Sequence, residues 1–134
     1  MSKDLLSRIF QDVKDKGVID DNFIKYLDEL FSDKSAIILE VVQRGFVKYT
    51  HTPSGKVIWG VPAKTRAEEE YLIYPKIYCS CRDFYKAVVV ERSRSFCKHI
   101  LAQVICEALE NFKHVEIDDK MFKKRIGELK LKFK

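Results

Sequence analysis

The chain has 134 residues, of which 46% are hydrophobic and 12% aromatic, and its formal net charge is +5. This composition supplies enough apolar side chains for one folded domain and excludes an intrinsically disordered protein. No uninterrupted apolar stretch approaches the roughly 18 to 20 residues of a membrane-spanning helix, and the first ten residues lack the apolar segment of a secretory signal. We therefore expect a soluble intracellular protein whose cysteines are reduced thiols.

The N-terminal part of the chain is predicted to form three helices. Residues 3–16 carry apolar side chains at helical spacing. Asp20 or Asp21 is the predicted N-cap of a second helix that extends to Phe31. Ser35 is the predicted cap of a short third helix, although its β-branched residues weaken that prediction.

From Gly45 onward the pattern becomes strand-like. The runs GFVKYTH and KVIWGV are separated by Thr-Pro-Ser-Gly, in which Pro53 and Gly55 favour a hairpin turn. The next apolar run, YLIYPKIYCSC, leads to Cys79. Pro75 lies within it, which indicates an edge position or a break in the strand.

The clearest helical pattern follows at residues 97–113, where apolar residues from Ile100 to Phe112 form one stripe. A last helix is predicted to begin at Asp118 and to lead into a basic tail. Residues 120–134 hold 7 Lys+Arg against a single Glu, a net charge of 7 − 1 = +6. This tail either meets nucleic acid or an acidic partner, or is a solvated, frayed end.

Four residues at short double spacing predict a zinc site. Cys79-Ser80-Cys81 is followed by fifteen residues and then by Cys97-Lys98-His99. Zinc prefers four thiolate or imidazole ligands in a tetrahedron, and Cys pairs in a reduced protein favour a metal over a disulfide. Residues i and i+2 of a strand point to the same side, so the first pair can converge on one ion at a strand end.

The second ligand pair cannot converge within a regular helix, because residues i and i+2 differ there by about 200° around the axis. We therefore expect Cys97 just before the 97–113 helix and His99 in its first turn. The intervening residues, 82–96, are expected to close as a loop or hairpin. Since four ligands are present and none is a carboxylate, a closed structural site is favoured over a catalytic one, which keeps a position open for water. Ordinary burial of the four residues and a redox role for Cys79-Ser80-Cys81 are the alternatives.

Three other candidate residues receive a simpler interpretation. Cys106 is two helical turns beyond His99, too far along the helix to share an ion. It is interpreted as a half-buried packing residue or a partner contact. His51 and His114 are isolated in the sequence and are interpreted as non-functional.

The string C-x-C-x15-C-x-H followed by an apolar helix resembles the SWIM zinc-finger domain. The segment LDELF, the helix SAIILEVVQR, the hairpin THTPSGKVIWGV and the step CKHILA are similar to the small SWIM-domain subunit of the Shu complex. This resemblance covers roughly residues 20–125. It implies that Cys79, Cys81, Cys97 and His99 hold one structural Zn²⁺ and that Ala102 is the small residue after the ligand histidine.

The resemblance and the pattern of elements together give an α+β fold: a small antiparallel β-sheet, a zinc-pinned C-terminal helix and N-terminal helices. The expected organisation is an N-terminal helical segment at 1–44, a SWIM zinc-finger domain at 45–116 and a basic C-terminal helix or tail at 117–134. The implied function is non-enzymatic. Such subunits pair with a RecA-like recombinase paralog and promote assembly of recombinase filaments on single-stranded DNA during homologous recombination repair in the nucleus.

A direct single-stranded nucleic-acid-binding module is the alternative function. Its candidate contacts to DNA or to a partner are basic residues, namely Arg82, Arg92, Arg94, Lys98, Lys123, Lys124 and Arg125. Phe84, Tyr85 and Phe96 are possible stacking groups for this function. The interpretation of the same aromatics as core residues around the metal is favoured. The acidic insert TRAEEEY and the basic tail differ from the family pattern. An enzyme is not predicted, because no nucleophile, base and oxyanion site come together in the sequence.

Overall fold

The computed structural model describes residues 2–64, 69–75, 77–94 and 96–124. The helices are α1 (Ser2–Lys16), α2 (Asp21–Leu30), α3 (Ser35–Val42), the short α4 (Arg82–Phe84), which continues as a π-helix (Tyr85–Val90), and α5 (Lys98–Ala108). The strands are β1 (Val47–His51), β2 (Val57–Pro62), β3 (Glu70–Tyr74), β4 (Tyr78–Cys79) and β5 (Lys113–Ile117). The α+β class predicted from the sequence is confirmed.

The strands form one five-stranded sheet in the order β4-β3-β2-β1-β5. Strands β1 to β4 are antiparallel neighbours, as predicted, and Gly55 adopts a φ of +76° in the turn between β1 and β2. Strand β5 adds to the free edge of β1 in a parallel register, with Val47 opposite Lys113 and His51 opposite Ile117. The sheet is therefore mixed, and its parallel edge strand was not foreseen.

One face of the sheet packs against the helices and forms the main core. Helices α1 and α3 both pack on α5, which lies between them and the sheet. Buried side chains from each layer meet here, including Ile9 of α1, Val41 of α3, Trp59 of β2 and Ile105 of α5. The opposite face carries only a small cluster of four buried residues, Tyr49, Ile58, Leu72 and Ile117. This arrangement buries α5 on nearly all sides, and α5 is the helix that carries the predicted histidine ligand.

Two aspartates cap the N-terminal helices. The Asp20 carboxylate accepts a hydrogen bond from the backbone N–H of Phe23 at 2.8 Å, as expected for the N-cap of α2. The start of α3 is different, because no side chain caps it from the N-cap position. Asp28 of α2 instead accepts a hydrogen bond from the Ser35 N–H at 2.9 Å. Hydrogen bonds from Ser35 lower the pKa of Asp28, so the charged carboxylate helps to join α2 to α3.

The segment between the two predicted ligand pairs is helical, so the expected loop or hairpin is wrong. Residues 82–90, which we call the inter-ligand helix, comprise α4 and the π-helix. The chain leaves this helix at Arg92, which has a φ of 56°. The Cys81 side chain starts the helix by accepting a hydrogen bond from the Phe84 N–H.

The helix predicted over 97–113 is shorter in the structure. Helix α5 ends at Ala108, and Glu110 adopts a left-handed φ of 57°. The Asn111 N–H then donates to the Cys106 carbonyl at 2.9 Å, which closes the end of the helix. Residues 113–117 are consequently a strand rather than the end of a helix.

The last predicted helix does begin after Asp118, whose carboxylate accepts a hydrogen bond from the Met121 N–H at 2.9 Å. Helical residues extend to 124. The basic tail from Arg125 onward lies outside the described residues. Among the helices of the described ranges, none is long and apolar enough to cross a bilayer.

Candidate metal centre

The structure brings the four predicted ligand residues together. Cys79 ends β4, Cys81 is the N-cap of α4, Cys97 is the N-cap of α5 and His99 is the second residue of α5. Their potential ligand atoms all lie within 4.8 Å of one another, and all four residues are buried. The predicted placement of Cys97 before the helix and His99 in its first turn agrees with these positions.

Ser80 orients the first ligand pair. Its backbone N–H donates to the Leu72 carbonyl at 3.0 Å, and its hydroxyl accepts a hydrogen bond from the Leu72 N–H at 2.9 Å. These two bonds fix Ser80 against β3, while its neighbours Cys79 and Cys81 contribute sulfur atoms to the group. Alternation along an extended chain places the side chains of residues 79 and 81 on the same side.

The sulfur atoms differ in their electrostatic environments. Burial raises the pKa of Cys79 well above its usual value and raises that of Cys97 to about 12. Hydrogen bonds from these two thiols lower the pKa of Cys81. The Cys81 sulfur also accepts the Phe84 N–H at 3.2 Å. A divalent cation bound by this group would stabilise the thiolate form of all three cysteines.

The geometry fits a tetrahedral zinc ion. Zinc bonds of about 2.3 Å to sulfur and 2.0 to 2.1 Å to nitrogen imply a sulfur–nitrogen separation of about 3.6 Å. The Cys97 Sγ atom lies 3.9 Å from Nδ1 of His99. Three thiols and one imidazole also match the donor types that zinc prefers, and no carboxylate belongs to this group. These residues would hold the ion and complete its coordination, which is the arrangement of a structural site.

The histidine ring is held between the sulfur atoms and the sheet. Its centroid lies 4.8 Å from that of Tyr71 on β3, at an interplanar angle of 50°. The His99 side chain is buried, and its Nε2 atom has no hydrogen-bond partner. A neutral imidazole that uses one nitrogen as a metal ligand carries its proton on the other nitrogen. If Nδ1 of His99 binds a metal, Nε2 is therefore a buried hydrogen-bond donor.

Comparison with known proteins finds similarity to proteins named for a SWIM zinc finger. A zinc finger SWIM domain-containing protein 7 homolog from Dictyostelium discoideum is 27% identical over 124 residues, which cover 92% of this chain and 78% of that protein. The zinc finger SWIM domain-containing protein 7 of Mus musculus is 28% identical over 118 residues, covering 88% of this chain and 77% of that protein. The Homo sapiens protein of the same name is 25% identical over 118 residues, which cover 88% of this chain and 84% of that protein.

The chain is similar, over most of its length, to proteins named for a SWIM zinc finger. The resemblance inferred from the sequence is thereby confirmed, and the similarity covers nearly the whole chain rather than the ligand residues alone. No protein-family model and no solved structure matches the chain. The relatives are named as zinc-finger proteins and not as enzymes, which is consistent with a non-enzymatic role. The SWIM-domain similarity and the buried group of three cysteines and a histidine together support zinc binding.

The basic residues predicted to contact DNA or a partner belong to two parts of the chain, one beside the ligand residues and one in the C-terminal segment. Arg82, Arg92 and Arg94 are exposed on or just after the inter-ligand helix, and Arg94 forms an ion pair with Asp83. Lys98 is half-buried at the start of α5. The others belong to the C-terminal segment: Lys123 and Lys124 are exposed, and Arg125 lies outside the described residues.

Two interpretations of single residues change with the structure. Cys106 is fully buried rather than half-buried, with its sulfur 3.5 Å from the Val42 carbonyl of α3. Burial raises its pKa to about 12, which is typical of an inert packing thiol. His51 is not isolated, because its ring nitrogens contact Ser54 and Asp119. His114 likewise lies 2.7 Å from the Thr50 hydroxyl.

Three residues that adjoin the candidate metal ligands in the chain or in space were not singled out from the sequence. They are Ser80, Tyr71 and Gln103. The signal for Ser80 was its position between the two ligand cysteines, where its hydroxyl is placed to bond a backbone group of the neighbouring strand. The signal for Gln103 was its spacing of four residues from His99, which places both on one side of α5.

Proposed function

We propose that this chain is a non-enzymatic zinc-binding adaptor subunit of a Shu-type complex. It would hold one structural zinc ion and pair with a RecA-like recombinase paralog. The assembly would promote recombinase filament formation on single-stranded DNA during homologous recombination repair in the nucleus. The support is the resemblance of the hairpin, the α3 segment and the CKHILA step to the SWIM subunit of that complex, together with the similarity to named SWIM-domain proteins.

The observation that carries the adaptor proposal is an exposed apolar surface on the inter-ligand helix. Tyr85, Val89 and Val90 are 48%, 49% and 60% exposed. They lie on one side of the helix, because the π-helix pairs residues five apart, as in the hydrogen bond from the Glu91 N–H to the Lys86 carbonyl. Neighbouring exposed apolar residues of this kind mark protein-interaction surfaces. We refer to Tyr85, Val89 and Val90 as the apolar surface.

The position of the apolar surface connects it to the metal. The inter-ligand helix begins at Cys81 and is followed, after a short connection, by Cys97. Its inward side is anchored by Phe84, which is buried and packs edge-to-face on Tyr78 with ring centroids 5.4 Å apart. A zinc ion bound to both ligand pairs would fix both ends of this segment. The metal would thus hold a partner-binding surface in place without taking part in chemistry.

The burial of the candidate stacking aromatics favours the adaptor over the single-stranded nucleic-acid binder. Phe84 belongs to the core, and Phe96 packs edge-to-face on Phe31 with centroids 5.9 Å apart. Of the three candidate stacking groups, Tyr85 alone has an exposed side chain. Two exposed valines beside it suit an apolar protein surface better than a row of bases, which bind by aromatic stacking and cationic contacts.

A pair of matched variants tests the adaptor function. Val90 and Val18 are both 60% exposed, but Val18 lies in the connection between α1 and α2, away from the inter-ligand helix in the chain. The full chain is co-expressed with RecA-like proteins of its source, and the native complex is purified for mass and metal measurement. We expect Val90→Asp to lose the partner and Val18→Asp to retain it, with zinc content unchanged in both.

The possible outcomes distinguish the proposals. Equal partner binding by the two variants would show that the apolar surface is not the interface. Absence of any RecA-like protein from the native complex would overturn the adaptor function itself. Binding of single-stranded DNA by the isolated zinc-loaded chain, weakening steeply with salt, would support the nucleic-acid-binding alternative instead.

A further inference from the structure

A series of polar side chains runs along the buried side of α5. His99, Gln103 and Glu107 follow one another at intervals of four residues, so they share one side of the helix. Gln103 is fully buried, which is unusual for a glutamine in an otherwise apolar helix. The buried side-chain atoms without a hydrogen-bond partner, among the described residues, are Nε2 of His99 and Oε1 of Gln103. Buried polar atoms left unpaired are destabilising, so their proximity along the helix calls for an explanation.

The orientation of the Gln103 amide follows from its neighbour. Its Nε2 donates a hydrogen bond to Oε1 of Glu107 at 3.0 Å. An ionised carboxylate only accepts hydrogen bonds, so the amide nitrogen must face Glu107 and the amide oxygen must face away from it. The helical turn on the other side of Gln103 is the one that carries His99. The bond to Glu107 therefore leaves the amide oxygen of Gln103 as an unpaired acceptor, one helical turn from the ligand histidine.

The histidine offers the complementary group. Its Nδ1 faces the sulfur atoms, 3.9 Å from Cys97 Sγ. A metal ion takes the unprotonated nitrogen of a neutral imidazole, so a metal on Nδ1 leaves the proton on Nε2 as a donor. Ligand histidines nearly always donate this proton to an acceptor, which orients the ring and strengthens the ligand. The unpaired donor, Nε2 of His99, and the unpaired acceptor, Oε1 of Gln103, thus belong to residues one helical turn apart. The two groups are complementary for a hydrogen bond.

We infer that Gln103 is a positioning residue for the metal centre. Its Oε1 accepts the Nε2 proton of His99 when Nδ1 binds zinc, and Glu107 holds the amide in the required orientation. The polar series Glu107–Gln103–His99 thus links the partly exposed C-terminal end of α5 to the ion. This inference rests on the zinc binding that is part of the proposed function, but it does not depend on the recombinase partner.

The test compares zinc-loaded full-length chains. Gln103→Leu removes the acceptor at nearly constant volume, and Ile105→Val serves as a control at another fully buried position of the same helix. Competition with a chelator is expected to show zinc affinity reduced about 10- to 100-fold in Gln103→Leu and unchanged in Ile105→Val. Nitrogen-15 NMR of the His99 ring is expected to show a proton on Nε2 in the wild type, protected from exchange. In Gln103→Leu that proton is expected to exchange faster.

A rescue variant separates positioning from simple packing. The double variant Gln103→Glu with Glu107→Gln exchanges the amide and the carboxylate while keeping an acceptor toward His99, so it should restore both the affinity and the protected Nε2 proton. A ring proton on Nδ1 in the loaded wild type would overturn the inference, as would an Nε2 proton that is unaffected by Gln103→Leu. Failure of the wild type to bind zinc would instead overturn the proposed zinc site.

Discussion

Leu72 and Ser80 exchange two hydrogen bonds, in which the Ser80 N–H donates to the Leu72 carbonyl at 3.0 Å and the Leu72 N–H donates to the Ser80 hydroxyl at 2.9 Å. The residue between the two ligand cysteines is thereby attached to β3. The hydrogen bond to the Ser80 hydroxyl extends the contact with β3 beyond the end of β4, where the backbone turns into α4. These two hydrogen bonds orient Cys79 and Cys81 on either side of Ser80.

The first prediction concerns this pair. Ser80→Ala leaves the buried Leu72 N–H without its acceptor, and we expect the free energy of unfolding to fall by about 1–3 kcal/mol. Zinc affinity should fall as well, because the cysteine pair loses part of its orientation. Chemical denaturation and chelator competition measure the two effects. Ser93→Ala is the control, since Ser93 is exposed and loses only a 3.3 Å hydrogen bond to the Ala87 carbonyl, which keeps its backbone donors; it should cost less than Ser80→Ala. Equal effects of the two substitutions would refute the role of Ser80.

The second prediction separates the ligand cysteines from Cys106. Cys97→Ser should release zinc and abolish the cooperative thermal transition, because the binding energy of structural zinc is folding energy. Cys106→Ala removes a buried thiol that packs against α3, and it should cost about 1–2 kcal/mol with zinc retained. Metal analysis and thermal unfolding on the same samples provide the comparison. A Cys97→Ser protein that melts at the wild-type temperature would disprove the zinc site.

The sequence predicted features that depend on local chemistry. The spacing of the four ligand residues follows from what a tetrahedral ion requires, and the structure places them together as expected. The caps at Asp20 and Asp118 were predictable for the same reason, since each carboxylate satisfies an N–H only three residues away. These features need no knowledge of distant parts of the chain.

Features that depend on distant neighbours were missed. Strand β5 has the polar sequence KHVEI, and it forms because the edge of β1 is available for parallel pairing. Cys106 and Gln103 are completely buried because α1 and α3 cover α5 on the sides away from its apolar stripe. The periodicity of the helix sequence does not indicate this covering. Tertiary packing overrode local pattern in each case.

The third prediction concerns the close approach of β3 to Gly60 in β2. A Cβ atom at Gly60 would overlap the Glu70 carboxylate and would lie 2.9 Å from Cε2 of Tyr49. The Tyr49 hydroxyl donates to that carboxylate at 2.7 Å. We expect Gly60→Ala to lower the free energy of unfolding by about 1–3 kcal/mol through overpacking. Removing the obstructing side chain with Glu70→Ala should recover part of this loss, so the double variant should be less destabilised than the sum of the single variants. If denaturant titrations show that the losses of unfolding free energy in the two single variants add up in the double variant, overlap with the Glu70 side chain is not the cause.

The fourth prediction tests how the C-terminal helical segment is held against the sheet. The ring of Phe122 packs on that of His51 with centroids 4.6 Å apart and joins the small cluster on the outer face of the sheet. Met121 belongs to the same segment but is 39% exposed. Because Phe122 is half-buried, Phe122→Ala should cost about 1–2 kcal/mol, less than the 3–5 kcal/mol of a fully buried phenylalanine.

The adjacent substitution Met121→Ala is the matched control and should cost less than Phe122→Ala. Hydrogen exchange at the Met121 and Phe122 amides reports directly on the segment, since both are protected by bonds to Asp118. Phe122→Ala should accelerate exchange at these amides while leaving the α5 amides protected, because the contacts it removes lie on the opposite face of the sheet from α5. Unchanged exchange in Phe122→Ala would mean that the Asp118 cap alone holds the segment, and that the packing on His51 contributes nothing to it.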